Sequence, residues 1–151
     1  MKSGISKHYV YSILLAIGAG FLLIRTIALI SQNVLSTATP WVAALLIVEM
    51  IIDASCLFYC IVWTFNNTPK NIRIVLRLGT AIVFVHAVRV LVFVMGRLER
   101  WYNFDVRPEY HAHHEETWTW GEVYFAATMS ILSIIAVIII WQIRLKQRKN
   151  V

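Results

Sequence analysis

The 151-residue chain is 59% hydrophobic and 15% charged, whereas a soluble globular domain is about half apolar and about a quarter charged. That balance excludes an ordinary water-soluble domain. The formal net charge of +6 lies in short basic clusters beside apolar runs, an arrangement that anionic lipid headgroups satisfy, so no nucleic-acid partner is expected.

A bilayer core of about 30 Å is crossed by roughly 20 apolar residues in a helix rising about 1.5 Å per residue. The first segment of that length is 10–30. Lys2 and Lys7 precede it as in a secretory signal, but the run exceeds a signal core and no A-x-A-like site stands before the polar stretch 31–39, so it reads as a true span. The second, 41–65, opens after Pro40, where a missing N–H leaves no helical bond unmade, and ends at Asn66-Asn67-Thr68-Pro69. A short basic loop leads to the third, 74–95; the long connection 96–121 leads to the fourth, 123–143. Short connections make sequential helices antiparallel neighbours. The expectation is an all-α integral membrane protein: an antiparallel four-helix transmembrane bundle forming a single domain over 1–151.

Orientation follows the excess of Lys and Arg in cytoplasmic loops. Lys2, Lys7, Lys70, Arg73, Arg77, Arg144, Lys146, Arg148 and Lys149 fall on one side, while Arg97, Arg100 and Arg107 share the other with six acidic residues. Both termini are therefore expected to be cytoplasmic, in a bacterial inner or plasma membrane. Trp101, Tyr102, Tyr110, Trp118 and Trp120 place the 96–121 loop at the outer headgroup level, and Tyr9, Tyr11, Trp41, Trp63 and Trp141 fit belts at other span ends. Ala16, Gly18 and Gly20 in the first span, and Gly79 and Gly96 in the third, offer small surfaces for close backbone approach.

Five ionisable residues lie at membrane depth: Arg25, Glu49, Asp53, His86 and Arg89. Each is costly in hydrocarbon, by at least about 2.5–3.5 kcal/mol for Arg or Asp, unless it faces protein or water. Counting from span midpoints, Asp53 is central and His86 lies within about 2 Å of that level; Glu49, Arg89 and Arg25 lie about 6, 7 and 7.5 Å toward the outer side. Glu49 is thus expected to meet Arg25, Arg89 or both, and Asp53 to meet His86. Faces agree. Glu49, Asp53, Cys56 and Cys60 form one stripe, and Gly79, Ile82, His86, Arg89, Phe93 and Gly96 another. The fourth span carries no charge and reads as the most lipid-exposed helix or the one most open to a partner.

The cluster has two readings. In one it is a static ion-pair network that selects which helices associate. In the other it is a polar path or proton-accepting site, with His86 titrating near neutral pH beside Asp53.

His111, His113 and His114 with Glu115 and Glu116 are the concentrated metal-ligand types in the chain. Imidazole and carboxylate suit zinc or copper, yet the spacing matches no specific motif, so the first reading is a solvated loop and the second an outer metal site. Cys56 and Cys60 share a helical face inside a span and read as small packing residues in preference to a quinone-coupled thiol pair. Haem bound by His86 would need a second in-span histidine, which the sequence does not offer.

Three functions follow in order. The first is a small polytopic protein acting as an oligomer or complex subunit in ion, proton or small-solute permeation through the polar cluster. The second is a non-catalytic structural or regulatory subunit of a larger membrane complex. The third is a metal-dependent membrane enzyme using the outer histidine loop. No nucleophile, base and orienting group can be assembled from sequence, which makes an enzyme the least favoured.

Overall fold

The structure is a computed structural model that describes residues 7–31, 34–97, 107–110, 128, 131–132, 135–136 and 138–146. Among these residues the regular structure is helical: α1 (Lys7–Ser31), the one-turn α2 (Val34–Thr37), α3 (Pro40–Phe65) and α4 (Pro69–Arg97), then a 3-10 turn at Pro108–Tyr110. Residues 138–146 are helical as well. Three helices, α1, α3 and α4, are long and apolar enough to cross a membrane. Of the expected fourth span, 123–143, only part falls within the described residues.

Local chemistry explains the helix ends. The Asn66 amide donates to the Val62 carbonyl at 2.8 Å as α3 closes, and the Asn71 side-chain amide donates to the Asn66 carbonyl at 2.8 Å. Thr68 Oγ1 accepts the Asn71 backbone amide at 3.3 Å in the manner of an N-cap, with Pro69 in the first helical turn. These bonds start α4 at Pro69, ahead of the expected residue 74. Lys70 and Arg73 consequently belong to its first turns rather than to a loop.

The distribution of polarity is inverted relative to a soluble protein. Ser12, Thr26, Glu49, Asp53 and His86 are buried, while Ile17, Ile24, Phe58, Phe84 and Leu91 are each more than half exposed. In water that exposed surface would be a large unfavourable apolar area; in lipid it meets its own kind, and the polar groups gain by turning inward. Along α1 the inward residues are Ser12, Leu15, Ala19 and Thr26, and along α3 Leu46, Glu49, Asp53, Cys56, Cys60 and Trp63. Both series follow steps of three and four or their sum, the repeat that keeps one helical stripe on a neighbour.

α1 packs on α3, and α3 on α4. The α1–α3 seam is tied at one end by the Thr64 hydroxyl, 2.9 Å from the Ser12 hydroxyl, and at the other by the Thr26 hydroxyl, 2.9 Å from Glu49 Oε1. Trp63 departs from its expected place in an interfacial belt. It is 2% exposed and belongs to the buried apolar cluster, its indole N–H donating to Asn67 Oδ1 at 2.9 Å. The polar tip is satisfied by the turn residue one helical turn on, so the ring has no need of headgroup water.

The small faces also divide. A Cβ on Gly20 would meet Leu57 Cδ1 at 3.9 Å, an ordinary van der Waals contact, and a Cβ on Gly18 would meet nothing within 4 Å. Gly18 instead lines an apolar cavity of about 420 Å³ bounded by α1, α3, α4 and residues between 132 and 140. A Cβ on Gly79 would meet Ile140 Cδ1 at 2.7 Å. That methyl ends a flexible side chain beside the cavity and has somewhere to go. Gly79→Ala is therefore expected to change stability by less than about 1 kcal/mol, whereas Gly79→Leu overpacks the seam and costs about 1–3 kcal/mol. The midpoint of SDS-driven unfolding in mixed micelles reads both; equal midpoints would show that α4 does not seat against Ile140.

Candidate intramembrane polar site

α3 and α4 carry the site, and α1 completes it. On α3, Glu49 and Asp53 are one turn apart on the buried stripe; on α4, His86 and Arg89 are likewise one turn apart. Exposure is 0% for Glu49 and Asp53 and 2% for His86.

The imidazole of His86 lies between the two carboxylates. Its Nε2 is 3.3 Å from both Asp53 oxygens, and its Nδ1 is 3.2 Å from Glu49 Oε1. The Arg89 guanidinium covers the far side, with Nε 2.8 Å from Glu49 Oε2 and Nη2 3.5 Å from His86 Nδ1. From α1, the Thr26 hydroxyl has two acceptors for its one proton, Glu49 Oε1 at 2.9 Å and the Leu22 carbonyl at 3.1 Å. The pairs expected from depth, Glu49 with Arg89 and Asp53 with His86, are thus in contact. Glu49 touches His86 as well, which a level-by-level count did not anticipate.

Electrostatics follow from this geometry. Two carboxylates face one guanidinium, so charge among the contacting groups closes at zero only with one further positive charge, either a proton shared among the two acids and the imidazole or a cation held between the three side chains. In a desolvated site such closure is required, because an uncompensated buried charge costs several kcal/mol. Glu49 Oε2 and Arg89 Nε are in ionic contact but not aligned as a hydrogen bond; both atoms are buried and neither has another hydrogen-bond partner.

Arg25 is half-buried on α1, adjacent to Thr26, and is engaged in a contact of its own. From α1, Thr26 reaches Glu49 through a neutral hydroxyl that a search for charge does not mark. Its signal was present in the Ser12, Leu15, Ala19, Thr26 stripe, a face on which Arg25 does not lie. His111, His113, His114, Glu115 and Glu116 lie outside the described residues, so the outer metal site acquires no geometry. Within 107–110, Arg107 Nε donates to the Ala38 carbonyl at 3.1 Å, tying that segment to the α2–α3 connection. Cys56 and Cys60 are free thiols in the buried apolar cluster.

Comparison with protein families, with curated proteins and with solved structures yields no match. The class of the molecule therefore rests on its own features: among the described residues, a helical architecture with three helices of membrane-crossing length and apolarity, and ionic side chains buried between two of them.

Proposed function

We propose that the chain is an antiparallel four-span membrane protein, both termini on the cytoplasmic side of a bacterial inner or plasma membrane, working as an oligomer or complex subunit in proton or small-cation permeation. Glu49, Asp53, His86 and Arg89 form the conducting cluster, with Arg25 at its outer edge. The contacts of Ser12 with Thr64 and Thr26 with Glu49 support an antiparallel α1–α3 pair, and those of Glu49 with Arg89 and Asp53 with His86 an antiparallel α3–α4 pair. The charge bias of the loops supports the orientation.

One observation carries the functional reading: a single imidazole bridges two buried carboxylates through its two nitrogens, at 3.2 and 3.3 Å. Such a bridge passes a proton from one ring nitrogen to the other side by rotation or tautomer exchange, and its close spacing admits a proton or a bare cation but no larger solute. Complete burial of both acids favours a second reading, a non-catalytic structural or regulatory subunit whose ion pairs specify helix pairing.

Flux in liposomes separates the two. The wild type is expected to dissipate an imposed pH or voltage gradient, and Asp53→Asn and His86→Gln to reduce the rate by roughly tenfold or more while keeping helix content, the low end of what loss of a positioned proton-transfer group costs. Wild-type liposomes tight to ions under both gradients would end the permeation reading. A foreign subunit co-purifying in fixed stoichiometry from mild detergent would then establish the other.

A further inference from the structure

Three of the buried groups make up a ligand set for a metal ion, and this deepens the reading above by naming the cation. One atom each from Glu49, Asp53 and His86 lie within 4.8 Å of one another, and all three residues are buried. The His86 Nε2 to Asp53 Oδ1 distance, 3.3 Å, is close to the ligand-to-ligand edge of a tetrahedral ion bound at about 2.0–2.1 Å. Glu49 lies on the Nδ1 side of the ring at 3.2 Å, and rotation about its flexible stem would bring its carboxylate to an ion held by Nε2 and Asp53.

An independent observation points to a ligand. Glu49 is 0% exposed, and its Oε2 is held by an ion pair with Arg89 Nε at 2.8 Å that is not aligned as a hydrogen bond, so no hydrogen bond fixes this acceptor where water cannot supply a donor. Thr26 Oγ1, 2.9 Å from Glu49 Oε1, adds a neutral oxygen that either donates to the ligating carboxylate or enters the coordination sphere. A positive group already stands there: the Arg89 guanidinium lies against the same Glu49 carboxylate and close to His86 Nδ1. Arg89 thus fills, from the protein's own chain, the place of a cation, and is displaced when one binds. Its side chain is 12% exposed, the one member of the set with a way out.

We infer that Glu49, Asp53 and His86 form an intramembrane site for a divalent transition-metal ion of the zinc class, with Arg89 as the built-in competitor for the Glu49 carboxylate. One imidazole nitrogen with carboxylate oxygens selects Zn2+ and its first-row neighbours over Mg2+, which prefers oxygen ligands and retained water. The inference rests on the cluster being a cation-handling site, but it is decided by equilibrium binding and not by flux.

The test uses the full chain in lipid nanodiscs, carrying His111→Ala, His113→Ala and His114→Ala so that the loop contributes no histidine. Zn2+ is titrated against a fluorescent chelator, with Mg2+ as the comparison ion. One Zn2+ per chain is expected, with binding weakened roughly tenfold or more by Asp53→Asn, Glu49→Gln or His86→Gln, the scale on which metal-site partners act. Arg89→Gln is expected to tighten binding several-fold, an outcome that a misfolded variant cannot produce. X-ray absorption of the zinc-loaded protein should show one imidazole among oxygen ligands. No binding by either the loop-altered protein or its Arg89→Gln derivative would overturn the site, as would affinity unchanged across the three ligand variants. Proton flux with no zinc binding removes the metal site and leaves the permeation reading; one-to-one zinc binding in flux-tight liposomes does the reverse.

Discussion

Replacing Arg89 with leucine is expected to destabilise the protein by about 3–5 kcal/mol, the cost of leaving a buried charge without its partner. Replacing Glu49 and Arg89 together by leucine should recover most of that loss. The reason lies in what each side chain leaves behind. Glu49 is 0% exposed, so its carboxylate, once deprived of the guanidinium 2.8 Å away, cannot reach water to recover what it has lost. With both gone, Asp53 and His86 keep their contact at 3.3 Å, and two leucines occupy space among apolar neighbours. Glu49→Leu alone should cost less than Arg89→Leu, because the Arg89 side chain is 12% exposed and its long stem can carry the charge toward the headgroups. SDS-driven unfolding in mixed micelles measures all three. A double variant no more stable than Arg89→Leu would mean that the pair stabilises through something other than charge compensation.

Trp63→Ala is expected to cost about 3–5 kcal/mol in the same assay, the range for emptying a large aromatic site. The physical accounting differs from that in a soluble core. Lipid tails are as apolar as the residues around Trp63, so little of the loss is transfer free energy; it comes from contacts forfeited when the 2% exposed ring is removed from the cluster containing Cys60 and Val75. The indole N–H bond to Asn67 adds a smaller part. Trp63→Phe, which keeps most of the volume and deletes that bond, should therefore lose only about 1–2 kcal/mol. A Trp63→Ala protein within about 1 kcal/mol of wild type would place the ring at the lipid interface after all.

Arg89, Glu49 and Trp63 differ in how far local sequence determines their surroundings. The Glu49–Arg89 and Asp53–His86 contacts were foreseeable because depth in a helix is a simple count of residues, and ionic groups in hydrocarbon must find one another. The Glu49–His86 contact, the part played by Thr26 and the burial of Trp63 were not, because each depends on how one helix is rotated against its neighbour. Thr26 illustrates the same limit: depth marked Arg25, Arg89 or both as partners of Glu49, and the α1 stripe that faces α3 brings the Thr26 hydroxyl to that carboxylate as well. A hydroxyl among isoleucines carries little weight in a charge-based search, though its position on the Ser12, Leu15, Ala19 stripe placed it on the buried face.

The amino acids alone dictate that long apolar helices form, three of them among the described residues, and at what height along each the ionic groups sit, because rise per residue is a local property of the backbone. Which atoms touch is settled only by packing between helices far apart in sequence. The arrangement of His86 between two acids, with Arg89 against one of them, arises from the azimuth of α3 and α4. No local rule sets that angle: it is chosen by the whole set of contacts that buries the polar stripe and leaves isoleucine and phenylalanine to the lipid.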